Sequence, residues 1–384
     1  MKIVLLLNQP YPNGFALTKR IHLYAKGFQK NGHDCKIIVP LPSKDNGFLD
    51  NKTIKGIFDE VSFEYTVKNT ISSKFFIIRR LRNFLGTLKA GMLCIKENPD
   101  VVITTSFSFY FLIYIKIISK ICSFKFIRET NEISYMRDDK ISLKKRIISK
   151  CRYGLFDGFI VISKQLSNYL TDEVKNRNKS IIVPILVNDY KKKSLPIQKT
   201  IVYTGTYYER KDGIITILNA FAKLIESYPD YKLLLTGSPN RSNDYKKILE
   251  SIRKNGLKKH IVFTGYLSEE ALQNVLISST MLILAKPANR QNLYNFPTKL
   301  GEYLISGRPV ITTKIGVVGE IFENNKNIIY AENSVQDISD KMQFVIRHQD
   351  LADKVGEMGR KYAIENFNYL KHSKQMSNYF KSLY

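Results

Sequence analysis

Short β-branched runs alternate with amphipathic stretches along this whole chain, and the rhythm stops once and restarts. Before the break the strand candidates are Lys2–Leu7, Cys35–Val39, Val61–Tyr65, Asp100–Thr105, Lys125–Ile127, Gly158–Ile162 and Ile181–Val183. Helical periodicity falls between them at Leu17–Lys30, Phe75–Ile95 and Leu143–Tyr153. After the break come strands at Thr200–Tyr203, Tyr231–Leu235, His260–Phe263, Met281–Leu284, Pro309–Thr312 and Asn327–Tyr330. The helices there are Ile214–Ser227, Tyr245–Lys254, Glu269–Ile277, Leu300–Ile305 and Val335–Arg347. Strands apolar on both faces and alternating with helices mean parallel sheets covered on each side. The polar, proline-bearing stretch 187–199 divides two such series. The expected fold is therefore α/β, with two doubly wound Rossmann-like domains, one over 1–190 and one over 200–365. Residues 366–384 are too polar on one side for core and are expected as a helix crossing back to the first domain.

At 384 residues the chain has room for both domains, and its 44% hydrophobic content supports their cores. Four scattered cysteines, with no paired spacing, read as buried thiols of a reducing, cytoplasmic compartment. The opening apolar run is too short for a signal peptide, and Val101 to Cys122 carries two lysines, short of a span of about 20 apolar residues. No GxGxxG, GK[ST], HExxH or GxSxG occurs, which removes the usual support for dehydrogenase, kinase and hydrolase chemistry.

Sixty Lys+Arg against 34 Asp+Glu give a net charge of +26. That excess fits nucleic acid, an anionic membrane, a phosphorylated substrate, or a Lys-rich genome. Two stretches, 74–89 and 143–152, mix the cations with exposed-face apolar residues in the manner of membrane-surface helices. No nucleic-acid motif or aromatic stacking platform accompanies them.

In open α/β sheets ligands bind at the carboxyl ends of strands, so the cleft between two such domains is the natural site. Three strand-to-helix loops there stand out. Gly14 follows the first strand and precedes a helix, a place where backbone can approach an anion. The loop TGTYYERKDG (204–213) sets Gly205 at a strand end and Arg210 and Lys211 just before a helix, where cations are disfavoured unless an anion lies between. In the stretch PTKLGEYLISGRPVITT (297–313), Pro297 suits the first helical position, and Thr298 and Lys299 make an anion cradle. Glu302 shares their face, about 6 Å further along, the distance from a diphosphate to its ribose hydroxyls. An ion pair on a solvated helix is the plain alternative.

The order and spacing of these segments resemble a retaining GT-B glycosyltransferase of family 4. The carrying segments are "GFIVISKQLSNYL" (158–170), "IIVPILVNDY" (181–190), "IVYTGTYYERKDGIITILNAFAKL" (201–224), "YKLLLTGSP" (231–239), "IVFTGYLSEEAL" (261–272) and "PTKLGEYLISGRPVITT" followed by "GVVGEIF" (297–322). The resemblance implies glycosyl transfer from a UDP- or GDP-linked sugar to a saccharide or lipid-linked acceptor, in cell-surface polysaccharide synthesis. It implies no metal or other cofactor and a cytoplasmic enzyme, to which the two basic stretches add a peripheral place on the inner membrane face. It places Lys211, Thr298, Lys299 and Leu300 at the donor diphosphate, Glu302 at its ribose, and Tyr266 and Leu267 beside the base, with Gly14, Gly205 and Arg210 lining the donor. Two departures mark the donor site: Thr206 stands where the family has arginine, and Tyr294 where it has the first of two glutamates. On the acceptor side the family's histidine is missing, and Glu129 and Glu132 occupy its region. A nucleotide-sugar epimerase of similar fold and a basic nucleic-acid-binding protein are the rival readings.

Overall fold

The computed structural model describes residues 1–43, 51–132, 142–172, 174, 179–237 and 242–384; the side chains of Lys145 and Arg146, within the second basic stretch, and residues 238–239 of the fourth quoted segment lie outside that description. Two compact units emerge, one formed by Met1–Leu186 with Tyr369–Tyr384 and one by Val187–Asn368. Each is an α/β unit around a parallel sheet, the doubly wound class expected from the strand pattern.

In the first unit the strands are β1 (Lys2–Leu6), β2 (Asp34–Val39), β3 (Lys55–Phe58), β4 (Val61–Tyr65), β5 (Val101–Thr104), β6 (Lys125–Thr130), β7 (Gly158–Val161) and β8 (Ser180–Ile182). Their spatial order is β3-β4-β2-β1-β5-β6-β7-β8. The helices are α1 (Ala16–Lys30), α2 (Phe76–Glu97), α3 (Phe109–Ile121), α4 (Leu143–Tyr153) and α5 (Lys164–Asp172). Parallel pairing of β1 with both β2 and β5 buries Ile3, Val4, Leu5 and Leu6 completely, which explains why that strand has no polar face. Strand β3 is absent from the sequence expectation. It is an antiparallel edge strand, mostly exposed, joined to β4 through Asp59 and Glu60 at φ 46° and 70°.

In the second unit the strands are β9 (Gln198–Thr204), β10 (Lys232–Thr236), β11 (Ile261–Gly265), β12 (Ser279–Leu284), β13 (Val310–Thr313) and β14 (Ile329–Ala331), in the order β11-β10-β9-β12-β13-β14. Its helices are α6 (Glu209–Asp212), α7 (Ile214–Ser227), α8 (Tyr245–Lys254), α9 (Glu269–Ser278), α10 (Arg290–Tyr294), α11 (Lys299–Ile305), α12 (Gly316–Ile321), α13 (Val335–Arg347) and α14 (Gln349–Asn366). The winding reverses between β9 and β12, so the loops after those two strands flank the switch point where such sheets hold ligands.

The last helix, α15 (Tyr369–Lys381), returns to the first unit and packs along α1. Met376 and Phe380 fill the same core as Tyr24 and Phe28. Gly27 permits the approach, because a Cβ there would lie 1.9 Å from Ser373 Oγ.

Candidate functional site

The loop after β9 and the start of α11 meet around one buried carboxylate. Asp212 is 1% exposed, and its Oδ2 accepts from Lys299 Nζ at 3.0 Å, with the Tyr203 hydroxyl at 2.8 Å. Lys286, also buried, brings its Nζ to 3.7 Å from Oδ1. That oxygen accepts no hydrogen bond among the described residues. Burial alone would raise the Asp212 pKa, but the charges of Lys299, Lys286 and Lys211 outweigh it and hold the carboxyl below its ordinary value. Burial pulls Lys299 down from the usual lysine value, with Asp212 opposing. The Lys299 ammonium also sits 4.4 Å over the Tyr203 ring, whose hydroxyl lies 2.6 Å from the Thr206 carbonyl.

Backbone fixes this arrangement. Gly213, between α6 and α7, has φ 66°, and a Cβ there would come within 1.8 Å of the Ala285 carbonyl, so the loop lies directly on the end of β12. The Lys211 carbonyl accepts from Lys286 Nζ (3.1 Å) and Asn292 Nδ2 (3.2 Å), and Asn289 Nδ2 donates to the Arg210 carbonyl (2.7 Å). Three bonds thus hold the Arg210–Lys211 backbone while Arg210 itself is exposed and Lys211 half-buried.

A side-chain-free ledge adjoins the cluster. Gly205, Gly237 and Gly265 end three neighbouring strands with φ of 117°, 105° and 68°. Gly205 N–H donates to the Thr236 carbonyl (3.1 Å) and Gly237 N–H to the Gly265 carbonyl (2.8 Å). A Cβ at Gly205 would lie 2.8 Å from Lys299 Nζ, and one at Gly237 would lie 2.5 Å from the Gly205 carbonyl oxygen. The ledge therefore admits only glycine beside the lysine. Tyr266, exposed, and Leu267, half-buried, follow it directly.

The structure thus gathers Gly205, Thr206, Lys211 and Lys299 from the expected donor set. Glu302 stands one turn along α11 and acts electrostatically on Lys299. Tyr294 ends α10, the helix that packs on α12.

Three expectations need correction. Leu300 has no N–H to offer a phosphate, since it donates to the Pro297 carbonyl (3.0 Å), and its side chain is fully buried. Thr298 is the N-cap of α11 and already has αR backbone angles, so Pro297 lies before the cap rather than at the first helical position. At Gly14, local packing by itself already excludes a side chain: a Cβ would meet Thr18 Oγ1 at 2.1 Å and the Pro10 carbonyl at 2.5 Å. Glu129 is no open carboxylate, for Arg20 Nε (2.7 Å) and the Tyr24 hydroxyl (3.1 Å) occupy its two oxygens and it is 4% exposed. Glu132, by contrast, is half-buried beyond the end of β6.

Asp212, Lys286, Tyr203 and Gly237 were missed in the sequence. The rule that picked out the other loops reaches Lys286 too, since it follows β12 at the switch point. Asp212 was hidden in a run of like-looking charges.

Against known proteins, residues 188–362 match the family described as glycosyl transferases group 1. Among solved structures, sucrose-phosphate synthase from Thermosynechococcus elongatus aligns with TM-score 0.78 at 16% identity, covering 100% of this chain and 98% of that one. Anabaena HepE, in complex with UDP and glucose, aligns with TM-score 0.74 at 15% identity over 100% of both chains. An uncharacterized glycosyltransferase of Methanocaldococcus jannaschii is 25% identical over 228 residues, or 58% of this chain. The match spans 59% of that relative's own length, less than two thirds. The fold is that of the GT-B glycosyltransferases.

Proposed function

We propose that this chain transfers a glycosyl residue from a nucleoside-diphosphate sugar to a hydroxyl of a saccharide or lipid-linked saccharide, with retention at the anomeric carbon, in building a cell-surface polysaccharide. The observation that carries this is the Lys211–Lys286–Lys299 group around Asp212, set beside a glycine ledge at the ends of β9, β10 and β11. A diphosphate is the anion that such a group suits, and HepE, with the same fold, holds UDP.

In this reaction the bond from the anomeric carbon to the diphosphate oxygen breaks, and one to the acceptor oxygen forms. The acceptor proton passes to the departing phosphate oxygen on the same face, so no protein nucleophile is needed. Negative charge grows on the diphosphate, and Lys299 and Lys211 stabilise it most as the bond breaks. Asp212 holds the Lys299 ammonium in place and Tyr203 supports it from below. Glu302 accepts hydrogen bonds from the ribose hydroxyls, and Tyr266 and Leu267 border the base.

Calorimetry with UDP and GDP tests the site. Glu302→Ala should weaken the preferred nucleotide by about 2–3 kcal/mol, the worth of charged hydrogen bonds to two hydroxyls, with an unchanged melting curve. Undiminished affinity in a normally folded variant would remove the ribose role.

A further inference from the structure

Helix α2 touches the rest of the first unit with very little of its surface. Of its 22 residues only Gly86, Ala90, Gly91 and Cys94 are buried, none of them in the first ten. Gly91 is the seat: a Cβ there would strike Ile118 and Tyr114 of α3 at 2.4 and 2.5 Å. The first half projects, with Phe75, Phe76, Ile77 and Ile78 at 73%, 59%, 79% and 42% exposure. Phe75 caps the helix in extended conformation and Phe76, Ile77 and Ile78 take its first three positions, most of a turn, so this end is apolar around most of its circumference rather than along one stripe. An ordinary amphipathic surface helix keeps a polar face outward; here the outward end has none.

Charge follows directly behind the tip. Arg79 and Arg80 hold their guanidinium groups 5.6 and 5.0 Å over the Phe76 ring, and Arg82 comes half a turn later. Before Glu97, α2 contains no acidic residue, and neither α3 nor α4 contains any. On α3, packed beside α2, Tyr110, Ile113, Ile117 and Ile121 form a further exposed apolar stripe. A second copy of the chain would pair this patch with itself and set like charges together. The complementary occupant is apolar inside and anionic at its surface.

We propose that the first turn of α2 is a docking tip for an anionic lipid bilayer. Phe75, Phe76, Ile77 and Ile78 enter to the headgroup boundary, a depth of about 6 Å for four helical residues. Arg79, Arg80 and Arg82 then lie level with the lipid phosphates. This stands apart from the glycosyl-transfer reading, since partitioning is measured with neither donor nor acceptor.

The test is flotation of the full chain with phosphatidylglycerol-containing vesicles and with phosphatidylcholine alone. The wild type should float with the former at low salt. Each basic side chain near such a surface is worth about fivefold, so changing Arg79, Arg80 and Arg82 to Gln should lower partitioning about 10²-fold. Phe75→Ser with Phe76→Ser and Ile77→Ser should abolish whatever binding survives high salt. Because the chain has no tryptophan, Ile77→Trp supplies a unique probe on an otherwise native surface. Its fluorescence should shift to the blue and be quenched by brominated lipid. A wild type that stays with the soluble fraction, or an Ile77→Trp emission unmoved by anionic vesicles, overturns the proposal. So does a wild type that dimerises in sedimentation and becomes monomeric on the triple-serine change, which would assign the tip to a second copy.

Discussion

Each unit buries a carboxylate, and the two are treated in opposite ways. In the first, Glu129 faces one guanidinium and one hydroxyl. Arg20 in turn also donates to the carbonyls of Val183 and Pro184. Charges balance and both carboxylate oxygens are occupied. In the second, Asp212 is ringed by Lys299, Lys286 and Lys211, and one of its oxygens accepts no hydrogen bond among the described residues. A balanced pair closes on itself and serves the fold, whereas one carboxylate among one buried and two half-buried lysines leaves positive charge over. The difference separates a structural ion pair from the cluster proposed to receive the diphosphate.

The sharpest way to break the comparison is Arg20→Met. It strands Glu129 without compensation and should cost about 3–5 kcal/mol of stability, read as a fall in denaturant midpoint. Adding Glu129→Gln should recover much of the loss. A change under about 1 kcal/mol would mean that Glu129 is not held by this pair.

Lys299→Ala should behave differently, because Lys286 and Lys211 remain around Asp212. Turnover at saturating donor should drop about 10²–10³-fold, the scale of losing one preorganised charge-stabilising donor. Melting should move much less than for Arg20→Met. Equal loss of nucleotide affinity with unchanged turnover would contradict a role that grows as the diphosphate leaves.

The smallest effect comes from a third carboxylate, paired with two lysines and nearer solvent than Asp212. Glu97 lies 2.8 Å from both Lys2 and Lys36. Burial would raise its pKa, but the two lysine hydrogen bonds and charges pull it down to about 2 from 4.5. A depressed carboxyl contributes stability above its unfolded value and loses it as pH falls through the folded one. Glu97→Gln should therefore melt slightly below the wild type at pH 7, and the gap should close between pH 4.5 and 2. A gap that persists below that window would assign it to packing instead of charge.

The same contrast marks how far the sequence could be read. Parallel strands announce themselves because both faces are apolar, as in Ile201, Val202 and Tyr203, all fully buried. The hairpin into β4 stayed hidden because its turn is Asp59–Glu60, non-glycine residues at positive φ, and β3 itself faces solvent. Lys211 and Lys299 were legible from their places in loops and at a helix start. Glu129 was misjudged because its partner Arg20 lies 109 residues away, a distance that local pattern cannot span. Lys286 needed only the switch-point rule. The Asp212 pairing needed coordinates, since nothing in Glu-Arg-Lys-Asp says which charge turns inward.

Helix α15 carries a consequence for how the chain is made. Residues 369–384 leave the ribosome after all of the second unit, yet Met376 and Phe380 complete the core around Tyr24 and Phe28. Domains usually finish in the order of synthesis. Here the order is inverted: the second unit has its full sequence while the first still lacks one wall, so the first-made half is the last to be finished.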